Sequence, residues 1–138
     1  MNVMIVDDSA EMRELLRDLI SPLTQSIVEC GNGLECIARS SECQPDWIIM
    51  DLRMPRLDGL NAARAVRACW PASKVLLVTH FNSPAIAAEA QEAGVISCVS
   101  KDELYQLVDL MKGGPPASAE PTPGRDGPPG RPRLDGAA

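Results

Sequence analysis

Five short stretches of this chain are dominated by apolar residues, and polar side chains follow each of them. They cover residues 2–6, 26–30, 47–50, 74–78 and 95–99. A strand that is apolar at almost every position has no side that can face water. We therefore expect these stretches to lie in a parallel sheet that helices cover on both faces. The third stretch runs directly into Asp51, and Pro55 ends regular structure soon after it.

Between these stretches, apolar positions recur at the spacing of a helix. Met12, Leu15, Leu16, Leu19 and Ile20 share one side of the first predicted helix. A turn at 31–33 precedes a second predicted helix over 34–43. The expected caps of the other helices are Ser9, Asp58, Ser83 with Pro84 in the first turn, and Asp102, and the fourth helix is expected to close at Gly94.

The alternation of strands and helices predicts the fold class. Strict βα alternation requires parallel strands and right-handed crossovers, so the expected architecture is α/β, a doubly wound (βα)5 sheet of five parallel strands. It occupies residues 1–112 as one domain. The final segment, 113–138, contains seven Pro and six Gly with almost no large apolar side chains. Such a composition predicts a disordered tail, because too little apolar surface is available to offset the entropy of ordering.

Charge and cysteine content narrow the classes of function. A net charge of −6 and a pI near 4.7 argue against a nucleic-acid partner, which requires a basic surface. No segment is long enough to span a bilayer and no targeting segment is apparent, so we expect a cytoplasmic protein with no membrane partner. The five cysteines form no C-x-x-C pair and only one His is present, so we expect apolar filler rather than disulfides or a zinc site.

The ends of the predicted strands carry the candidate chemistry. Parallel strands present their carboxyl ends at one edge, which here receives Asp7, Asp8, Asp51, Thr79 and Lys101. Three converging carboxylates repel one another unless a cation lies among them, and Mg²⁺ prefers oxygen ligands of this kind. An ammonium and a hydroxyl beside Asp51 can hold the oxygens of a phosphoryl group that the carboxylate has attacked.

This set of residues resembles the receiver domain of two-component response regulators, in its single-domain type, over about residues 2 to 112. The matching pieces are Val6-Asp7-Asp8, Met50-Asp51, Met54-Pro55 with Asp58-Gly59, Val78-Thr79 and Ser100-Lys101. The resemblance implies a flavodoxin-like fold and Mg²⁺-dependent transfer of a phosphoryl group to Asp51 from a histidine kinase or phosphotransfer protein. It also implies that Asp8 ligates Mg²⁺ directly, Asp7 does so through water, and the backbone carbonyl of Arg53 and Asp51 itself complete the protein's ligands. Thr79 would be the switch hydroxyl and Lys101 would pair with the phosphoryl group.

Three positions depart from the family pattern. His80 replaces the small residue that usually follows the switch Thr and keeps the phosphoryl pocket open. Cys98 replaces the switch aromatic three residues before the lysine, so no ring is available there to swing inward. Asp102 replaces the proline that often follows the lysine. We therefore expect altered phosphotransfer and an unusual readout of phosphorylation.

The sequence leaves one leading function and two alternatives. We expect a stand-alone receiver that catalyses only its own phosphorylation and dephosphorylation, and that binds an output protein at the face of the fourth and fifth helices. A phosphorylation-independent interaction module is the first alternative. The second is a phosphatase with an aspartyl-phosphate intermediate, which is disfavoured because such enzymes resemble this chain but carry an Asp where Arg53 stands.

Overall fold

A computed structural model of the protein describes residues 1–80 and 83–113. The tail predicted over 113–138 lies outside this description except for Gly113. The strands are β1 Asn2–Val6, β2 Ser26–Cys30, β3 Trp47–Asp51, β4 Lys74–Thr79 and β5 Ser97–Ser100. The helices are α1 Ala10–Ile20, α2 Gly33–Cys43, α3 Gly59–Cys69, α4 Pro84–Glu92 and α5 Tyr105–Met111, with a short 3-10 turn at Ser21–Leu23.

All five strands pair in parallel in the order β2-β1-β3-β4-β5. The predicted fold class is thereby confirmed. The order reverses direction beside β1 and β3, which is the point at which open α/β sheets form a crevice above their strand ends. Asp51 closes β3 and Asp7 follows β1, so both lie at this crevice.

The sheet is buried on both faces, and alternate residues of each strand contribute to two separate cores. In β1, Val3 and Ile5 pack with α1 and α5, whereas Met4 and Val6 pack with α2, α3 and α4. Every residue of β3 is buried. Because no side of this strand faces water, all its positions before Asp51 are apolar. This arrangement explains the continuously apolar stretches in the sequence.

Side-chain caps begin four of the five helices among the described residues. The oxygen of Ser9 accepts from Met12 N, that of Asp58 from Asn61 N, and that of Ser83 from Ile86 N. These three predicted caps are confirmed. Asn32, which the sequence placed only in a turn, caps α2 by accepting from Glu35 N.

The predicted cap of α5 was wrong. The helix begins at Tyr105, with Leu104 at its N-cap and no side-chain cap bond. Asp102 lies instead in a tight turn, where its own N–H donates to Ser100 Oγ. The N–H of Glu103 donates to the carbonyl of Ser100, which closes a turn over residues 100–103, and the helix starts after that turn.

The start of β5 also differs from the expected 95–99. Gly94 has a φ of 85°, and its N–H donates to the carbonyl of Gln91 while Val95 N donates to Ala90 O. These two bonds form a Schellman motif that closes α4, as the glycine predicted. The backbone of Val95 is therefore engaged in ending the helix, and the strand starts at Ser97.

Three of the five cysteines, Cys30, Cys36 and Cys98, are buried. Burial raises the pKa of Cys30 to about 11 and that of Cys36 to about 12, so both thiols stay protonated and unreactive at neutral pH. Cys69 is exposed. No disulfide joins any of the five, all of which lie in the described residues. Within the same residues, no helix is long and apolar enough to cross a membrane.

Candidate functional site

The carboxyl edge of the sheet holds a cleft of about 210 Å³ lined by Asp51, Arg53, Thr79, His80 and Lys101. These side chains come from the ends of β3, β4 and β5 and from the loop after β3. Asp7 and Asp8, at the end of β1, lie against the same carboxylate. The structure therefore brings together the residues that the sequence predicted to converge.

Lys101 provides the positive charge of the site. Its Nζ lies 3.3 Å from Asp51 Oδ1 and 3.7 Å from Asp7 Oδ2. The three side chains are only 11%, 7% and 2% exposed, so water screens these attractions weakly. The backbone fixes the lysine as well, because Lys101 N donates to the carbonyl of Thr79 at 2.8 Å. A cationic group is thus held beside the Asp51 carboxylate.

Asp7 is held at its backbone and at its carboxylate. Its N–H donates to Cys30 O at 3.1 Å, and its Oδ1 accepts from Ser9 N at 2.8 Å. Burial raises the pKa of Asp7 above its usual value, and the nearby charges of Asp51 and Asp8 raise it further. The Ser9 N–H and Lys101 oppose this shift without overcoming it. The ionised form of Asp7 is therefore under-stabilised by the protein alone.

Asp7, Asp8 and Asp51 can offer one oxygen each within 4.8 Å of one another, a spacing suited to a metal ion. All three donors are hard oxygen atoms, which are the preferred ligands of Mg²⁺. The pKa of Asp7 is raised mainly by burial and further by the charges of Asp51 and Asp8, and a bound cation would oppose that repulsion. The residues present consequently fit a divalent cation. Exposed Asp8 leaves one side of the group open to water.

The loop after β3 is held close to Asp51 by a glycine. The N–H of Gly59 donates to Leu52 O at 2.8 Å, and α3 starts directly against the β3 terminus. A Cβ on Gly59 would lie 2.5 Å from Asp51 O and 2.9 Å from Leu52 Cα, both backbone atoms. Any larger residue would push α3 away from the Asp51 main chain. This close approach explains the glycine of the Asp58-Gly59 pair.

Two of the three departures from the family pattern, His80 and Cys98, occupy different places. His80 is exposed and lines the cleft next to Thr79, which is only 2% exposed. Cys98 is buried in the core between the sheet and α2, α3 and α4, and burial raises the pKa of its thiol. His80 therefore lies at the cleft itself, whereas Cys98 packs within the core.

Comparison with known proteins decides the family. The sequence matches the response regulator receiver domain over residues 3–112, which is almost all of the part that the structure describes. The chain belongs to the response regulator receiver family. Receiver domains are in general non-catalytic signalling modules.

Individual relatives agree with this assignment. The chain is 32% identical over 100 residues to the chemotaxis protein CheY of Thermotoga maritima, covering 72% of this chain and 83% of CheY. It is 33% identical over 113 residues to the uncharacterized transcriptional regulatory protein YxjL of Bacillus subtilis, covering 80% of this chain. Only 52% of YxjL is covered, so the receiver domain spans about half the length of that relative.

A solved structure supports the same fold. The signal receiver domain of the putative response regulator NarL from Mycobacterium tuberculosis superimposes with a TM-score of 0.70 at 30% identity. The match covers 81% of this chain and 96% of that one. The flavodoxin-like architecture that the sequence resemblance implied is therefore confirmed.

Sequence reasoning missed the groups that hold Asp7 in place. Arg13 Nη1 donates to the Asp7 carbonyl at 2.7 Å, and Arg13 Nε donates to Glu29 Oε1 at 3.0 Å. Glu29 lies on β2 and Arg13 on α1, so no local spacing links either of them to Asp7. The only available signal was a charged residue, Glu29, within a strand that is otherwise largely apolar.

Proposed function

We propose that this receiver domain accepts a phosphoryl group on Asp51 from a histidine kinase or phosphotransfer protein and signals by phosphorylation-dependent binding of an output protein. The observation that carries this proposal is the position of the Asp51 carboxylate. It lies 3.3 Å from the Lys101 ammonium and shares a cluster with Asp7 and Asp8 at the mouth of an open cleft. The cleft is large enough to admit a phosphoryl group.

The proposed transfer step uses these groups as follows. An Asp51 oxygen forms a bond to phosphorus while the bond from phosphorus to the donor nitrogen or oxygen breaks, and the electron pair leaves with the donor. Lys101 then pairs with a phosphoryl oxygen, and the Thr79 hydroxyl moves toward another. Fixed charges aimed at developing negative charge are the usual source of rate enhancement in phosphoryl transfer.

The acidic residues supply the metal ligands in this proposal. Asp8 and Asp51 would bind Mg²⁺ directly, Asp7 would bind it through water, and the backbone carbonyl of Arg53 would complete the protein's share. Bound there, Mg²⁺ neutralises the carboxylates and helps to balance the charge of the incoming phosphoryl group. Arg53 lines the same cleft as Asp51, in agreement with this assignment.

The output surface is proposed to be the face formed by α4, β5 and α5. Ile96 and Tyr105 are large apolar residues on this side of the molecule, 43% and 60% exposed. A change at Thr79 would reach this face through the end of β4, which pairs with β5 from Leu76 to Thr79. The proposal places the domain in the cytoplasm and assigns it no nucleic-acid or membrane partner.

A second function has one observation in its favour. Cys98 is a small buried side chain at the position where the resemblance implied a switch aromatic. Without a ring to reorient, the output face could bind its partner equally well before and after phosphorylation. Equal partner affinity of the two forms would identify a phosphorylation-independent interaction module.

The test is phosphate incorporation from acetyl phosphate, followed on a phosphate-affinity gel. We expect the full chain to become phosphorylated with Mg²⁺ and to remain unmodified in EDTA. Asp51→Ala should incorporate nothing. Asp18→Ala is the matched control, because Asp18 is an exposed aspartate on α1 away from the cleft, and it should behave as the parent protein. Phosphate retained by Asp51→Ala would contradict the site assignment.

A further inference from the structure

Arg13 connects the acidic cluster to an ion-pair network on the side of the molecule formed by α1 and β2. It lies in the first turn of α1, where Arg13 N donates to Ser9 O at 3.0 Å. Its guanidinium makes two contacts at once, with Nη1 to Asp7 O at 2.7 Å and Nε to Glu29 Oε1 at 3.0 Å. The side chain is 22% exposed, so these bonds are partly protected from water.

Glu29 keeps the guanidinium in this orientation. Its second oxygen, Oε2, accepts from Arg17 Nε at 2.7 Å, so one carboxylate is shared by two arginines. The hydrogen bonds from Arg17 and then Arg13 lower the pKa of Glu29, which keeps it ionised at neutral pH. A planar guanidinium held at one nitrogen by a carboxylate has little freedom to turn the others away from Asp7.

The atom that Arg13 holds belongs to the peptide unit between Asp7 and Asp8. A peptide unit is planar, so a hydrogen bond that holds its oxygen restrains the orientation of the plane and of both α-carbons that lie in it. The preceding peptide unit is fixed as well, because Asp7 N donates to Cys30 O. The main chain from which the two carboxylates extend is therefore restrained from outside the cluster.

We propose that Arg13 is a positioning residue for the acidic site: by clamping the Asp7–Asp8 peptide unit, it sets the relative orientation of two of the proposed metal ligands. This inference rests on the proposed function, since it concerns the same Mg²⁺ site. Arg13 contacts the main chain of a ligand and not the metal, and groups in that role typically change metal affinity by about 10- to 100-fold when they are removed.

Arg13 affects Mg²⁺ affinity in two opposite ways, through its positive charge and through its hydrogen bond to Asp7 O. The proposal is testable because removing the side chain changes the affinity in a different direction for each. Removing a cation near a cluster of carboxylates strengthens cation binding if only the electrostatic field changes. Removing the hydrogen bond from Arg13 to Asp7 O weakens cation binding, because the carboxylate ligands must then become ordered when the metal binds. Arg17 provides the matched control, since it bonds the same Glu29 and carries the same charge but contacts Asp7 at no atom described here.

The experiment is a Mg²⁺ titration of the full chain without phosphodonor, followed by amide chemical shifts of Asp8 and Ser9, with thermal midpoints measured alongside. We expect the dissociation constant to rise about tenfold in Arg13→Ala and to change less than about twofold in Arg17→Ala. Arg13→Lys retains the charge but lacks the two-nitrogen fork, so it should also weaken binding. It serves as the second variant if Arg13→Ala unfolds.

Equal effects of Arg13→Ala and Arg17→Ala, or tighter Mg²⁺ binding in Arg13→Ala, would overturn the positioning role while leaving the metal site in place. Absence of Mg²⁺ binding by the parent protein would overturn the metal site itself and the inference with it. The two failures are distinguished by the parent titration alone.

Discussion

The cleft has two sides that are built in different ways. On the acidic side, formed by the ends of β1 and β3, Asp7 makes hydrogen bonds through its N–H, its carbonyl and its carboxylate. The neighbouring helix α1 buries Leu16 and Ile20 and is tied to β2 through Glu29. On the α4 side, formed by the end of β4 and by α4, only Ala90 of the helix is buried.

The difference matches what the proposed function requires of each side. Charged groups that bind a cation and a phosphoryl group act best when they are already in position, because reorganisation then costs little. A surface that reports phosphorylation must instead have two accessible arrangements, and segments with few buried apolar side chains open most easily. The alanine-rich sequence of α4 provides small side chains that can shift without leaving large cavities.

The largest expected effect is on the acidic side, at Lys101. In Lys101→Met the cation beside Asp51 is lost, and we expect the rate of phosphate incorporation from acetyl phosphate to fall about 100-fold. Lys74→Met is the control, because Lys74 is the first residue of β4, at the end of the strand away from Thr79 and the cleft. Its Nζ lies 5.2 Å from the centre of the Trp47 ring. An unchanged rate in Lys101→Met would remove the lysine from the proposed chemistry.

The next effect concerns how firmly α4 is held, measured by amide hydrogen exchange against α3, the helix that starts beside the end of β3. We expect the amides of α4 to exchange at least about tenfold faster than those of α3, which buries four residues, Gly59, Ala62, Ala63 and Val66. Mass spectrometry of peptides from both helices measures this in a single sample. Equal protection would mean that the α4 side is as firmly packed as the rest, and the contrast between the two sides would fail.

The smallest expected effect is on the free energy of unfolding, which the buried Asp7 carboxylate lowers at neutral pH. The pKa of Asp7 is raised in the folded protein by burial, so the unfolded chain releases this proton at a lower pH, near the usual 3.8. Stability therefore falls as pH rises through that window, and the loss is complete above the folded pKa. Asp7→Asn should raise the free energy of unfolding at pH 7 without Mg²⁺ by about 1 kcal/mol.

Urea unfolding in EDTA at pH 7 and near pH 3 measures this gain, which should disappear at the lower pH. Asn can still accept from Ser9 N through its carbonyl oxygen, so the loop should keep its shape. Asp18→Asn, at an exposed position, should change stability by less than about 0.5 kcal/mol. Destabilisation by Asp7→Asn would show that the carboxylate contributes more through its hydrogen bonds than it costs through burial and repulsion.

Much of the fold could be predicted because its signals are local. Ser9, Asp58 and Ser83 cap helices through bonds to residues three positions ahead, and Gly94 ends α4 through its own positive φ. The prediction for Asp102 was wrong because a turn over residues 100–103 follows β5 and the helix begins only at Tyr105. Residue type identified a possible cap, but it could not show how far the turn extends before the helix.

By itself, the sequence determined which residues lie at the carboxyl edge of the sheet, because βα alternation fixes the direction of every strand. Asp7, Asp51, Thr79 and Lys101 follow from that rule alone. Only the tertiary structure decided how these groups are held. Separate elements are joined by the two hydrogen bonds of Arg13, to Asp7 O and to Glu29. They are also joined where Gly59 packs closely against Asp51 O. Contacts of this kind depend on the distances between helices and strands in the folded protein. No repeating pattern in the sequence encodes those distances.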